Sequence, residues 1–172
     1  MDNKAFNKKL ITEYPFLLPR NLFSDKVSED YDYSYTLLDL FPEGWRNTFA
    51  LNMLSEIKDE LININQLEEF RILEIKEKYG TLHFYTNFTT DKLNAIICKY
   101  EDLSMLTCYK CGNPSTHVSL GWITYLCNDC ISNSKNVRKL TSEDIPIRTL
   151  YKDGKEETLD SFYKNKMLNQ WR

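Results

Sequence analysis

The sequence predicts an α+β protein, with helices packed on a small antiparallel sheet and an appended four-cysteine module of the zinc ribbon or treble-clef kind. Three observations predict this class. Several stretches carry apolar residues at helical spacing, one stretch around Gly80 has the character of two strands, and two CxxC pairs follow it. A chain of 172 residues that is 42% hydrophobic and 13% aromatic is expected to fold. We predict an α+β domain over residues 1–106, a zinc-binding module over 107–140, and a β-hairpin with a C-terminal tail over 141–172.

Two stretches in the first third of the chain have the periodicity of helices. Residues 3–14 place apolar side chains on one helical face, and Pro15 ends the run. Pro42, a residue type favoured at the first helical position, begins a longer run of the same kind. The apolar positions of that run are Trp45, Phe49, Leu51, Met53, Leu54, Ile57 and Leu61. An amphipathic helix is expected in each stretch.

The segment between these two helices is acidic and aromatic. Tyr31, Tyr33 and Tyr35 alternate with polar residues, which predicts an extended segment with one aromatic face. The tyrosines either contact a partner, as aromatic residues do at interfaces, or pack on the helix that follows. The carboxylates of Asp30 and Asp32 are either solvated or belong to a cation-binding or acid–base site.

The second half of the α+β domain is predicted to hold a hairpin and a helix. β-Forming residues lie on both sides of Gly80 in residues 70–86, which indicates two antiparallel strands. Thr90 is placed to cap a helix whose apolar residues, ending near Leu103, line one side.

The tail is predicted to contain a second hairpin. Residues 142–146 have the composition of a turn, and Asp153 with Gly154 supports a tight turn within residues 147–159. The last twelve residues are expected to form a final helix.

Four of the five cysteines form two pairs with the spacing of a zinc site. Cys108 and Cys111 are separated by two residues, as are Cys127 and Cys130, and 15 residues separate the pairs. Each CxxC turn presents two sulfurs, and a hairpin between the pairs brings all four around one ion. Gly112 allows the backbone to bend behind the second sulfur. We expect one structural Zn²⁺ whose four thiolates leave no position for a catalytic water.

Other uses of these cysteines are disfavoured. A disulfide scaffold does not suit a chain without a signal peptide and with a fifth cysteine, and a redox pair needs only one CxxC beside a strand–helix unit. The module is a treble clef if Cys130 opens a helix that runs to Leu140, and a ribbon if it leads into a strand. The module is too short to bury a core, so metal removal is expected to unfold it first.

Charge and motifs restrict the function classes. The formal charge is −3, with acidic residues in excess over residues 1–107 and basic ones over 131–172. Lys135, Arg138 and Lys139 are therefore the candidate nucleic-acid-binding residues. No HExxH, P-loop or GxGxxG motif is present, which argues against metalloprotease and P-loop nucleotide chemistry. Without an apolar leader or a membrane-spanning stretch, the protein is expected in the cytoplasm.

Several short phrases together resemble a family of uncharacterised phage and prophage proteins of bacteria. The resemblance extends over residues 14–130 and is specific as a combination. Its phrases are VSEDYDYSYT (Val27–Thr36), FPEGWR (Phe41–Arg46), IKEKYG (Ile75–Gly80), CGNP (Cys111–Pro114) and GWI (Gly121–Ile123). The resemblance implies an accessory protein of a mobile element, acting inside a bacterial host on a defence system such as a CRISPR nuclease or a nucleotide-signalling pathway. It carries over no catalytic residue.

Three function hypotheses follow. The first is a non-enzymatic protein that binds a host protein through its acidic and aromatic residues, Asp30, Tyr31, Asp32, Tyr33 and Tyr35. The second is a nucleic-acid-binding zinc ribbon that uses the basic residues after the cysteines. The third is a nucleotide-binding or nucleotide-processing protein that acts through Asp30, Asp32 and Tyr33.

Overall fold

The computed structural model describes residues 3–131, 136–141, 144, 149–152 and 155–158. These residues contain four α-helices and seven β-strands, besides short 3-10 and π-helical segments. The helices are α1 (Asn3–Glu13), α2 (Glu43–Trp45), α3 (Leu51–Asn63) and α4 (Asp91–Leu106). The strands are β1 (Ile72–Lys78), β2 (Thr81–Thr86), β3 (His117–Ser119), β4 (Tyr125–Leu126), β5 (Val137–Lys139), β6 (Thr149–Lys152) and β7 (Lys155–Thr158). The chain divides into two compact units, Met1–Leu140 and Thr141–Arg172. The α+β class predicted from the sequence is confirmed.

The core of the first unit lies between its helices and the β1–β2 hairpin. α3 packs beside α4, and α4 packs on β2. The side chains that fill this space are almost all apolar, so their burial is the main source of stability for the unit. Its largest fully buried members are Trp45, Phe70, Leu17, Met53, Leu54, Ile57, Leu61, Leu82 and Leu93. Thr90 caps α4 as predicted, because its Oγ1 accepts from the Leu93 N–H at 3.2 Å.

The helix predicted from Pro42 is present but is not uniform. α2 leads into a π-helical segment, Arg46–Ala50, and then into α3, and Pro42 itself is the N-cap. The Thr48 hydroxyl donates to the Gly44 carbonyl at 2.6 Å, which competes with the ordinary backbone hydrogen bond at this turn. The widened turn therefore follows Gly44, which packs against the backbone of Cys108 and Gly112.

The predicted hairpin around Gly80 is also present. β1 and β2 pair antiparallel, and the pair Lys78↔Thr81 leaves a two-residue turn of Tyr79 and Gly80. Both turn residues have positive φ, +52° and +81°. This is the turn geometry that matches the right-handed twist of the flanking strands.

The prediction of an extended aromatic segment around Tyr33 is wrong. The residues form no strand, and Tyr33 has a φ of +64°. The Tyr31 ring lies 5.2 Å from that of Tyr33 and 5.6 Å from that of Tyr35, so the rings cluster instead of alternating along a face. The cluster is tied to α1, because the Asn7 amide donates to the Tyr33 carbonyl at 2.8 Å. This contact explains why a polar residue of α1 is buried.

The cysteine segment forms a three-stranded sheet in the order β4-β3-β5. The chain after Cys130 reaches β5, which pairs with β3 from His117↔Lys139 to Ser119↔Val137. Because residues 137–139 form a strand, they do not belong to the helix up to Leu140 that a treble clef would have. The module is ribbon-like.

The second unit contains the predicted tail hairpin. β6 and β7 pair antiparallel from Thr149↔Thr158 to Lys152↔Lys155. The expected turn residues Asp153 and Gly154, most of the turn expected in residues 142–146, and the expected final helix lie outside the described residues.

Candidate metal centre

Four sulfur atoms converge at one end of the ribbon-like sheet. The Sγ atoms of Cys108, Cys111, Cys127 and Cys130 all lie within 4.8 Å of one another, and those of Cys111 and Cys127 are 3.5 Å apart. A tetrahedron with metal–sulfur bonds of about 2.3 Å has sulfurs about 3.8 Å apart. A disulfide would need about 2.05 Å, and the cysteines are free thiols. The four cysteines lie close enough together to hold a metal ion.

Two tight turns present these sulfurs. In the first, the Gly112 N–H donates to the Cys108 carbonyl at 3.0 Å, and Gly112 has a φ of +84°, which favours glycine. In the second, a 3-10 turn, Asn128–Cys130, closes with the Cys130 N–H on the Cys127 carbonyl at 3.2 Å. Each CxxC spacing therefore produces the turn that was predicted from it.

Backbone hydrogen bonds close the first turn and join it to β4, the strand that leads into the second turn. The Tyr109 N–H donates to the Tyr125 carbonyl at 3.0 Å, and the Cys108 N–H donates to the Asn113 carbonyl at 2.7 Å. Cys108 and Cys127 are buried with Leu126 in a small apolar cluster, whereas Cys111 is exposed. The site thus has one buried side and one side that water reaches.

The thiols respond unequally to this environment. Burial alone would raise the pKa of Cys108, but the backbone N–H groups of Cys111, Cys127 and Lys110 point at its sulfur and lower that pKa to about 7. Removal of water from around the sulfur, together with the neighbouring cysteine side chains, raises the pKa of Cys130 and that of Cys111. Without a metal the cluster therefore resists holding several thiolates, and a divalent cation is the charge that offsets their repulsion.

The first turn is docked on the core through two facing glycines. A Cβ on Gly44 would lie 2.0 Å from the Cys108 carbonyl oxygen and 2.7 Å from the Gly112 nitrogen. A Cβ on Gly112 would lie 2.0 Å from Thr48 Oγ1. The Gly44 N–H donates to the Tyr109 carbonyl at 3.1 Å. No side chain fits between α2 and the first cysteine turn.

Trp45 extends this contact into the core. Its side chain is fully buried, its Nε1–H donates to the Thr107 carbonyl at 3.2 Å, and its ring meets that of Tyr109 edge to face at 5.8 Å. Sequence reasoning missed the role of Gly44. A lone glycine inside a helical run often marks a close backbone approach, and this was the available indication.

The residues predicted to bind a partner form a patch, here called the acidic–aromatic surface, in which Asp30, Asp32 and Tyr35 are exposed and Tyr31 and Tyr33 are half-buried. Asp32 pairs with Lys4 of α1, and Ser28 donates to Asp30. Tyr31 donates from its hydroxyl to the Tyr35 carbonyl, and burial raises the pKa of Tyr31 to about 12. The internal contacts hold the patch in one shape while leaving half of the Tyr35 side chain, 51%, exposed.

The acidic residues of this surface do not converge on a common point. Asp30 and Asp32 have the separate partners just given. In the part of the chain that the structure describes, the four cysteines form the one group of three or more ligand residues close enough for a metal ion. A cation site at Asp30 and Asp32 therefore has no geometric support.

The basic residues considered for nucleic-acid binding fall on β5. Arg138 pairs with Val118 and Lys139 pairs with His117. Successive residues of a strand point to opposite faces, so these two do not form one basic stripe. Lys135 lies outside the described residues.

Comparisons with models of protein families, with curated proteins and with solved structures give no match to this chain. Within the described ranges, every helix is too short or too polar to cross a bilayer.

Proposed function

We propose that this protein holds one structural Zn²⁺ and acts in the host cytoplasm as a non-enzymatic accessory protein of a phage or prophage, binding and modulating a host protein. The metal part of the proposal is supported by the donor set. Four thiolates in tetrahedral reach suit Zn²⁺, which is borderline soft and has no geometric preference of its own. Cys108, Cys111, Cys127 and Cys130 would fill all four positions, so the ion would stabilise the fold and bind no substrate.

The binding part rests on one observation, the acidic–aromatic surface. The Tyr31 ring contacts those of Tyr33 and Tyr35, and the cluster is hydrogen-bonded to α1 through Asn7, with Asp30 and Asp32 beside it in the chain. Preordered aromatic side chains lose little conformational entropy on binding, which is why tyrosine is enriched among the residues that dominate interface energies. The acidic rim suits a basic surface, such as one that a host protein uses to bind nucleic acid. A defence protein that binds nucleic acid would present such a surface.

A capture experiment tests this proposal. The zinc-loaded chain would be immobilised and exposed to bacterial lysate, alongside the variant Asp30→Lys/Tyr35→Ala. The matched control is Asp59→Lys/Ile62→Ala, which removes an acid and a similarly exposed apolar side chain (Ile62, 54%) from α3. We expect one host protein to be retained by the wild type and the control and lost from the first variant. Equal retention by all three chains would contradict the assignment of this surface.

Salt dependence separates a protein partner from a nucleic acid. Contacts to phosphates release counterions, so nucleic-acid binding weakens steeply as salt rises. We expect no retention of DNA or RNA by the chain at low salt, and host-protein capture that survives nuclease treatment.

A further inference from the structure

The tips of two hairpins in the first unit enclose a cleft of about 290 Å³. Its walls are the β1–β2 turn and the loop between β3 and β4, and its lining residues are Glu77, Lys78, Tyr79, Gly121, Trp122 and Ile123. The two hairpins are packed together at its base, where a Cβ on Gly80 would lie 3.0 Å from Ile123 Cγ2. We call this feature the Tyr79–Trp122 cleft.

Tyr79 is an unfavourable residue for the turn in which it lies. With φ of +52° it occupies the first central position of a two-residue hairpin turn, where asparagine, aspartate and glycine are preferred. A bulky side chain is rare in this conformation because its Cβ crowds the backbone. The residue is 72% exposed, so burial in the folded chain does not offset the strain. Folding alone gives no reason for a tyrosine here.

Trp122 is presented in a similar way. Its side chain is 81% exposed and follows Gly121, whose φ of +92° turns the loop. Ser119 fixes this loop, because its hydroxyl donates to the Trp122 carbonyl at 2.6 Å and its N–H donates to the Thr124 carbonyl at 2.9 Å. An ordered turn therefore holds a large aromatic ring in solvent.

The two aromatic side chains of the cleft each carry a hydrogen-bond donor, the Tyr79 hydroxyl and the Trp122 indole N–H. Glu77 accepts a hydrogen bond from the Gly80 N–H, and the Lys78 ammonium lies 5.5 Å from the Tyr79 ring centroid. The negative charge of Glu77 and the positive charge of Lys78 therefore cancel at the rim, and each group already has a contact within the chain. Within the described part of the chain, neither the Tyr79 hydroxyl nor the Trp122 indole N–H has a hydrogen-bond partner. The cleft suits an apolar occupant that carries acceptors and no net charge.

The size and charge of the site exclude other occupants. A nucleic acid would need an excess of positive charge, which the balanced rim of Glu77 and Lys78 does not offer. A second copy of the chain would need about 800 Å² on each side of a stable interface. The lining of the cleft is six residues, far fewer than the roughly 20–30 residues that each side of such an interface contributes.

We propose that the Tyr79–Trp122 cleft binds a proline-rich segment of a partner protein in the polyproline II conformation. Such a segment presents apolar rings, lacks the N–H at each proline and keeps its carbonyls free to accept, which matches two aromatic faces with two unpaired donors. Its helix is preformed, so little conformational entropy is lost when it enters a shallow cleft. The site lies outside the acidic–aromatic surface and extends the proposed function to a second contact.

The test is a calorimetric titration of the full zinc-loaded chain with a proline decapeptide. We expect saturation below about 1 mM peptide. Tyr79→Asn and Trp122→Ala should each weaken binding at least tenfold, because each removes one of two central aromatic contacts. Tyr79→Asn should keep or raise the melting temperature, because asparagine tolerates positive φ. Loss of binding would then not reflect loss of the fold.

Phe23→Ala is the matched control. Phe23 is fully exposed (100%) and lies near Asp25, which pairs with Arg71 just before β1, whereas the cleft is at the far end of that strand. The control should bind the decapeptide like the wild type. The proposal is overturned if the wild type does not bind the decapeptide, or if all variants bind it equally. It is also overturned if a single-stranded oligothymidine binds in its place and loses affinity in Tyr79→Asn and Trp122→Ala.

Discussion

Gly44 of α2 and Gly112 of the first cysteine turn face each other so closely that a Cβ on Gly112 would lie 2.7 Å from the Gly44 carbonyl oxygen. This contact joins the candidate metal centre to the core of residues 1–140. The turn that presents two of the four sulfurs is built directly against the helix that carries Trp45. Metal binding and core packing are therefore expected to be parts of one cooperative structure.

Gly44→Ala is expected to destabilise the unit. The added methyl would meet the Cys108 carbonyl oxygen at 2.0 Å, and backbone atoms there cannot move without opening the cysteine turn. Overpacking of this kind costs about 1–3 kcal/mol or more. The free energy of unfolding by urea measures the change. The control is Asn52→Ala, which places alanine at an exposed position of α3 and should be neutral or slightly stabilising. An equal effect of both substitutions would contradict the close contact.

Chelation is expected to affect the core as well as the cysteine module. The sequence alone predicted that metal removal unfolds the cysteine module first. In the structure, however, Trp45 of the core donates a hydrogen bond to Thr107 and packs on Tyr109, and both of these residues belong to the module. In a Trp122→Phe/Trp171→Phe background, Trp45 is the one remaining tryptophan of the three in the chain. A strong chelator should have two effects at once: it should shift the Trp45 fluorescence to longer wavelength, and it should lower the melting temperature of the helices. Unchanged Trp45 emission in the metal-free chain would show that the module unfolds alone.

Metal affinity is expected to fall steeply in mild acid. Cys111 and Cys130 have raised pKa values in the metal-free chain, so both must release a proton when a metal binds at pH 7. Cys108, whose pKa is lowered to about 7, is part ionised there and adds a further fraction of a proton. Because the metal-free state binds more protons, affinity rises with pH and is lost as pH falls. Release of at least two protons corresponds to at least about a hundredfold loss of affinity from pH 7 to pH 6.

Calorimetry in buffers of different ionisation enthalpy counts these protons. A value below one proton per metal at pH 7 would be incompatible with four thiolate ligands.

Lys4→Met is expected to raise the pKa of Asp32. The Lys4 ammonium, followed by the Ser34 hydroxyl and N–H, holds the pKa of Asp32 down to about 2. A depressed carboxylate stabilises the folded chain above its unfolded pKa of about 3.9, and this contribution is lost as pH falls toward 2. The ion pair is half exposed, so the stability effect is small and the pKa is the better quantity to measure. Carboxyl NMR shifts report it directly. Lys8→Met, which removes a neighbouring charge of α1, should leave the value near 2.

Local patterns were sufficient to predict most elements of this fold. The helical run from Pro42, the Thr90 cap, the hairpin at Gly80 and the tail hairpin each depend on residues close together in the chain. The cysteine spacing likewise predicted two turns, because the geometry of a CxxC turn is set within four residues.

Tertiary contacts account for what the sequence did not reveal. The alternation of Tyr31, Tyr33 and Tyr35 predicted a strand, but the positive φ of Tyr33 and its bond to Asn7 of α1 override that pattern. The fit of Gly44 against Gly112 joins residues 68 positions apart, and no short-range pattern encodes which helix will meet the cysteine turn. Likewise, the cleft between Tyr79 and Trp122 joins two hairpins that are distant in the chain, so spacing did not predict it.

Native mass spectrometry of the full chain, purified without added metal or chelator, shows whether the four cysteines hold a zinc ion. We expect one Zn²⁺ per chain, with all four cysteine thiols of the site deprotonated. The ion should be retained in Cys98→Ser, because Cys98 lies outside the site, and lost or held more weakly in Cys130→Ser. A metal-free chain with disulfides among Cys108, Cys111, Cys127 and Cys130, or equal metal content in the two variants, would contradict it.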